Sequence, residues 1–114
     1  MSNKQIDLAT FEELKRMSGA DFIDELIDTF LEDVPKLMGE LQSALQAGNA
    51  EAFRRAAHSL KSNAATFGAA HLSEQARELE MLGKEGRLKA TGDRIGALES
   101  SFEAVSRELK GLRG

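Results

Sequence analysis

Apolar residues recur every three or four positions along almost the whole chain, which is the spacing of amphipathic α-helices. The longest stripe predicts one helix over about 20–47, and its phase continues through Pro35, so a kink is expected there rather than a break. Shorter stripes predict further helices over about 10–17, 50–67, 70–84 and 91–112. No segment alternates as a strand would, and the connections are short. The prediction is a single all-α domain over 1–114, an antiparallel up-and-down four-helix bundle with a short N-terminal helix.

Residues that begin and end helices support these boundaries. Thr10 and Glu13 have the spacing of a capping box at the start of the first helix. Asn49 is a suitable N-cap for the helix over 50–67, and Gly68 is expected to end that helix in a left-handed conformation. The following helix is expected to end near 83–86, where glycines recur.

His58 is the first candidate for chemistry, because it lies off the apolar stripe of its helix. On a helical wheel it is about 140° from Phe53, on a polar face. Two readings stay open from the residues alone: an exposed histidine without a role, and a reactive imidazole that a partner protein can approach closely. The neighbours on the His58 face are small or cationic: Arg54, Lys61, Ser62 and Ala65.

Composition narrows the function classes. With 19 acidic and 15 basic residues and neither Trp nor Tyr, the chain does not look like a general nucleic-acid binder. The six Phe fall at positions that look like core. The absence of cysteine excludes disulfides and thiolate metal sites. Residues 1–5 do not resemble a signal peptide and no apolar run approaches about 18 residues, so we expect a cytoplasmic protein without membrane contact.

The charge is unevenly distributed, and several catalytic templates do not fit. Acidic residues crowd 21–33, whereas Arg54, Arg55 and Lys61 surround His58, so the local field there is expected to be more positive than average. His71 is the only other histidine, and no metal site is expected, because one would need further convergent ligands. No glycine-rich phosphate loop is present, so autonomous kinase activity is not expected.

The segment that begins with His58-Ser59-Leu60-Lys61 and continues to Ala64 and Phe67-Gly68 resembles the core motif of histidine-containing phosphotransfer (HPt) domains, roughly H-x-L-K-G-x-(A/S)-x-x-(L/F)-G. The resemblance covers nearly the whole chain. Its other parts are 8–14, similar to the family's leading helix, 30–35, similar to the middle of its long second helix, and 78–80, similar to the end of its fourth helix.

The resemblance implies a role for each matching residue. His58 would accept a phosphoryl group from a receiver-domain phospho-aspartate and pass it to another receiver. Lys61 would lie beside that group, and Glu80 would hydrogen-bond His58 Nδ1, which fixes the tautomer and leaves Nε2 as the nucleophile. Lys84, one turn beyond Glu80, would add a second cation.

The resemblance also implies partners: response-regulator receiver domains and a hybrid sensor kinase. They would dock on the face around His58 and on parts of the first two helices. Mg²⁺ is expected on the receiver and no cofactor on this chain, which we expect to be a monomer.

Ser62 departs from the family pattern, which usually has glycine at this position. A side chain here bears on how closely a receiver docks over His58. It is also the one feature that favours an alternative function, a helical adaptor that binds a receiver or other signalling protein without phosphotransfer.

Overall fold

Five α-helices and one short 3₁₀ turn form the structure, a computed structural model that describes residues 5–113. The predicted absence of a signal peptide concerns residues 1–5, of which 1–4 lie outside this range. No strand occurs within the described range, so the predicted all-α class is confirmed. The elements are α1 Leu8–Ser18, α2 Ala20–Ala47, α3 Ala50–Thr66, α4 Ala70–Lys84, the 3₁₀ turn Leu88–Ala90 and α5 Arg94–Leu112.

Helices α2 to α5 form the bundle, and α5 packs back onto α2. Two side-chain links show that α2 and α5 run in opposite directions. Gln42 Nε2 donates to Glu99 Oε1 at 3.1 Å, and the Arg113 guanidinium pairs with Asp28 at 2.8 Å. Helix α1 packs across α2 and α3, so it covers one end of the bundle.

The predicted apolar stripes form the core. All six residues of the stripe predicted over 50–67 are buried, five on α3 and Phe67 at its C-cap: Phe53, Ala56, Ala57, Leu60, Ala64 and Phe67. The reading of all six Phe as core was wrong for Phe22, which is 51% exposed. Phe22 precedes the buried Ile23 on α2 and therefore lies about 100° round the helix from it.

Helix α1 begins earlier than predicted, and its capping box was wrong. The N-cap is Asp7, whose side chain accepts a hydrogen bond from Ala9 N at 3.2 Å. Thr10 lies inside the helix and donates its hydroxyl to Asp7 Oδ2 at 2.9 Å. The physical reason is tertiary: Asp7 N donates to Gly68 O at 2.8 Å, which fixes the chain against the α3–α4 turn just before α1 starts.

The other boundaries follow the predictions, except at α5. Helix α2 is continuous through Pro35, and the kink stays a prediction. Asn49 caps α3 by accepting from Ala52 N at 3.1 Å. Helix α5 starts at Arg94 rather than 91, because Gly92 adopts φ +54 and separates α5 from the 3₁₀ turn.

Gly68 ends α3 in the left-handed conformation that the sequence predicts, with φ +77. Ala69 N donates to Ala64 O at 2.9 Å and Gly68 N to Ala65 O at 3.0 Å, the two bonds of a Schellman motif. A Cβ atom at Gly68 would lie 2.9 Å from Asp7 O. Gly68 is therefore required both by its own backbone angle and by the close approach of the segment before α1.

We expect Gly68→Ala to lower the free energy of unfolding by roughly 2–4 kcal/mol, because it combines left-handed strain with a backbone clash. Gly48→Ala is the matched control. Gly48 has φ +67 but nothing within 4 Å of a built Cβ, so only the strain of about 1–2 kcal/mol applies. Urea denaturation followed by circular dichroism measures both. Equal losses would show that the contact with Asp7 contributes nothing.

Candidate functional site

His58 lies on the polar face of α3, where its side chain is 54% exposed. The apolar stripe of the same helix faces inward, so the imidazole is presented to solvent by the burial of the opposite face. Ser62 and Ala65, on the turns that follow, are also exposed. A second protein can therefore approach the ring over a surface of small side chains.

Glu80 on α4 joins His58 to Lys61. Its Oε2 lies 2.7 Å from His58 Nδ1, and its Oε1 lies 2.7 Å from Lys61 Nζ. The Glu80 side chain is only 15% exposed. Because an ionised carboxylate only accepts hydrogen bonds, the network assigns the imidazole proton to Nδ1. In the neutral ring, Nε2 then carries the free lone pair.

The environment of Glu80 favours its charged form. Burial of Glu80 raises the pKa of its carboxyl group, but the hydrogen bonds from Lys61 and His58 and the charges of these two residues together lower it by more. The net pKa lies below the ordinary value of 4.5. Glu80 is therefore ionised at neutral pH and can hold both partners.

The α3–α4 pairing sets which residues meet at the site. Near the start of α4, Ser73 Oγ donates to Lys61 O at 3.0 Å, and this hydrogen bond joins the first turn of α4 to the backbone of α3 at Lys61. Ser73 was not among the sequence-predicted site residues. A serine in the first turn of a helix is an ordinary pattern, and only the tertiary structure reveals its partner.

The remaining predicted residues are more loosely associated with the site. Arg54 Nε donates to Glu51 at 3.1 Å, and the pKa of Arg54 is raised by that bond and, to a smaller extent, by the charge of Glu80. Lys84 is exposed in the last turn of α4 and has no ion pair among residues 5–113. Gly68 closes α3 and does not contribute a side chain.

The cations that surround the histidine are matched by carboxylates. Arg54 and Arg55 both approach Glu51, Arg55 at 4.0 Å, while Lys61 pairs with Glu80. The positive field expected from the sequence is therefore partly offset within the site. Each of these three cations has a carboxylate oxygen within 4.0 Å.

Arg77 is a neighbour of the site that sequence reasoning missed. Its guanidinium donates to Glu74, and this bond raises the pKa of Arg77, with smaller contributions from the charges of Glu74, Glu78 and, last, Glu80. The sequence could have indicated Arg77, because it precedes Glu80 by three residues on the same helix, a spacing at which side chains are neighbours.

The described part of the chain offers no metal centre and no membrane span. His71 is exposed in the first turn of α4. Within residues 5–113 no three or more His, Asp or Glu side chains are grouped as they would be around a metal ion. No helix in this range is both long and apolar enough to cross a bilayer.

The lowered pKa of Glu80 predicts a pH-dependent contribution to stability. A depressed folded-state pKa stabilises the fold above the unfolded-state value and loses that effect as pH falls through the folded-state value. We expect Glu80→Gln to lower the free energy of unfolding at pH 7, with a deficit that shrinks below pH 4.5. Urea denaturation across this pH range measures it. Gln46→Ala, an exposed uncharged control, should show no such trend, and a constant deficit for Glu80→Gln would contradict the prediction.

Comparison with known proteins identifies the family. The family model of the Hpt domain matches residues 25–108. The phosphorelay protein LuxU of Vibrio harveyi is 29% identical over 92 residues, which is 81% of each protein. The crystal structure of histidine-containing phosphotransfer protein B (HptB) from Pseudomonas aeruginosa PAO1 is 32% identical, with a TM-score of 0.91 over 98% of this chain and 96% of that one. The chain therefore belongs to the Hpt domain family.

Proposed function

We propose that this chain carries out histidine phosphotransfer in a two-component phosphorelay, with Nε2 of His58 as the phosphoryl acceptor. The observation that carries the assignment is the 2.7 Å contact between His58 Nδ1 and Glu80, on an imidazole that is otherwise exposed. One ring nitrogen is held by a buried carboxylate and the other is free. Such an arrangement suits a nucleophile that a partner must reach.

The reaction transfers a phosphoryl group between a carboxylate oxygen and a ring nitrogen. The Nε2 lone pair attacks the phosphorus of a phospho-aspartate on the donor, an N–P bond forms, and the P–O bond to the aspartate breaks. The aspartate leaves as a carboxylate with the bonding electron pair. Transfer to a second receiver reverses these steps, with its aspartate oxygen as the nucleophile and Nε2 as the leaving atom.

Glu80 compensates the charge that the reaction creates. When Nε2 bonds to phosphorus while Nδ1 keeps its proton, the ring becomes cationic. The Glu80 carboxylate already lies 2.7 Å from Nδ1 and needs no reorganisation to stabilise that charge. The same contact keeps the tautomer in which Nε2 is unprotonated before the attack.

Lys61 supplies a cation for the transferred group. Lys61 follows His58 by three residues on α3. In the unphosphorylated chain its ammonium pairs with Glu80 Oε1 at 2.7 Å. A phosphoryl group on Nε2 carries more negative charge than one carboxylate oxygen, and the flexible lysine stem allows the ammonium to turn toward it. Glu80 then remains paired with the imidazole.

The proposed partners are receiver domains, with a hybrid sensor kinase upstream. An open groove of about 930 Å³ between α2 and α3 supports docking beside His58, since Arg55 and Ser59 are among its lining residues. Most of the other lining side chains are small, including Gly39, Ser43, Ala44, Ala47, Ala52 and Ala56. The donor receiver would bring the Mg²⁺ and acidic pocket. A specific Mg²⁺ site on the isolated chain would contradict this division.

We further propose that the chain acts in the cytoplasm as a monomer and carries a phosphoryl group without kinase activity of its own. Lys84 and Arg54 are proposed as peripheral contacts to the docked receiver. Ser62, exposed one turn after His58, is proposed to tune the closeness of docking rather than to prevent transfer.

We expect His58→Gln to abolish labelling when the chain is mixed with a phosphorylated receiver. The glutamine keeps a polar side chain of similar reach but has no basic nitrogen to attack phosphorus. Acid-labile phosphate on the protein, measured by intact-mass spectrometry, reports the product. His71→Gln, which changes the other exposed histidine, is the matched control and should label as the wild type does.

Equal labelling of His58→Gln and wild type would move the acceptor to another residue. If receivers bind the wild type with the same affinity as the His58→Gln variant and neither is labelled, the chain is an adaptor, the alternative that Ser62 favours.

We expect Glu80→Ala to slow phosphotransfer by roughly 10- to 100-fold, the range lost when a carboxylate that orients a metal-bound histidine is removed. The fold should persist, because Glu80 lies at the edge of the core. Rapid-quench kinetics with a phosphorylated receiver measures the rate, and circular dichroism checks the fold. Glu78→Ala, an exposed carboxylate two residues earlier on α4, is the control. An unchanged rate for Glu80→Ala would remove Glu80 from the mechanism.

A further inference from the structure

Gly83 lies inside α4 and does not end the helix, although its neighbours in the sequence suggest a helix end. The run of glycines near 83–86 indicates a helix end, and Gly86 does end α4, with φ +69. Gly83, however, lies within α4 and is buried. Its backbone conformation is one that any residue can adopt, since it is not among the positive-φ glycines of the described residues. The reason for a glycine at this position must therefore be steric.

The α3 backbone lies very close to α4 at Gly83. A Cβ atom built on Gly83 would lie 2.9 Å from Arg54 N and 3.0 Å from both Arg54 Cα and Arg54 Cβ. These are backbone atoms of a helix and an atom bonded directly to one, so no side-chain rotation can relieve the contact. The other helical glycines provide a contrast, because a Cβ at Gly39 or Gly96 would meet nothing within 4 Å.

This contact lies next to the proposed phosphorylation site. Gly83 follows Glu80 by three residues, and Arg54 precedes His58 by four. Because α3 and α4 run antiparallel, the close approach is about one turn from the His58–Glu80 hydrogen bond. From this juxtaposition we propose that Gly83 is a positioning residue: it allows the α3–α4 spacing at which Glu80 reaches His58 Nδ1. Its importance for phosphotransfer rests on the proposed function, whereas its effect on the imidazole does not.

The size of the displacement decides whether the hydrogen bond survives. Moving a Cβ from 2.9 Å to an ordinary contact distance of about 3.5 Å requires the helices to separate locally by about 0.6 Å. Carried over to the 2.7 Å contact of Glu80 with Nδ1, this gives about 3.3 Å, outside the range of charge-assisted hydrogen bonds. A hydrogen bond of this length is weaker, so the preference for the Nδ1–H tautomer is reduced.

The experiment compares Gly83→Ala/Gly96→Ala with Gly96→Ala alone. Alanine at the open Gly96 site raises helix propensity in α5 and offsets destabilisation by the clash. The readout is the tautomer of the His58 ring, from its ¹⁵N chemical shifts in long-range ¹H–¹⁵N spectra at alkaline pH. We expect the Nδ1–H form in Gly96→Ala and a raised Nε2–H population in the double variant. The phosphotransfer rate is expected to fall by roughly 10-fold, because a misplacement of about 1 Å can cost about 100-fold and the displacement here is smaller.

Val105→Ala separates positioning from general destabilisation. Val105 is fully buried on α5, so this variant lowers the melting temperature without changing the α3–α4 spacing at Gly83. It should keep the wild-type tautomer. An unchanged tautomer in the double variant, an equal change in Val105→Ala, or failure of the double variant to fold would each overturn the proposal. A wild type that shows the Nδ1–H tautomer but takes no phosphate would overturn the proposed function and leave the role of Gly83 intact.

Discussion

The site depends on one constraint, the close packing of α3 against α4 around the Glu80 carboxylate. That carboxylate uses one oxygen for His58 and the other for Lys61, both at 2.7 Å. A side chain of this length reaches both only if the two helix backbones lie close together. Ser73, bonded to the Lys61 carbonyl, and Gly83, packed on Arg54, are the two points at which that closeness is visible.

Helix α3 divides structural and chemical work between its two faces. The apolar face buries Phe53, Leu60 and Phe67 in the core and so fixes the rotation of the helix. The opposite face is then obliged to present His58 to solvent. Ser62 on this polar face balances helix stability against space for a docking partner, because glycine in the middle of a helix costs about 1 kcal/mol more than alanine. The helix gains stability where a receiver would meet a slightly larger side chain.

The sequence predicted those features of the fold that depend on neighbouring residues, and missed those that depend on contacts distant in sequence. Helix existence was predictable because a 3.6-residue period over many turns is a strong signal, and α2 and α4 have the predicted bounds. The start of α1 was not predictable in the same way. Asp7 rather than Thr10 is the N-cap because Asp7 N donates a hydrogen bond to Gly68 O, which is far away in sequence. The start of α5 was shifted by the left-handed Gly92, which sequence alone does not distinguish from other loop glycines.

The sequence by itself determined the helices and the exposed position of His58, and the resemblance of the segment from His58 to Gly68 and of its flanks pointed to the family. These are properties of consecutive residues, so periodicity and motif spacing report them directly. The family resemblance already implied a contact between Glu80 and His58. Only the tertiary structure decided that the same carboxylate also holds Lys61, and that Gly83 belongs to the α3–α4 contact rather than to a helix end. Distances between two helices depend on how their surfaces fit together, and no local pattern in either helix contains that information.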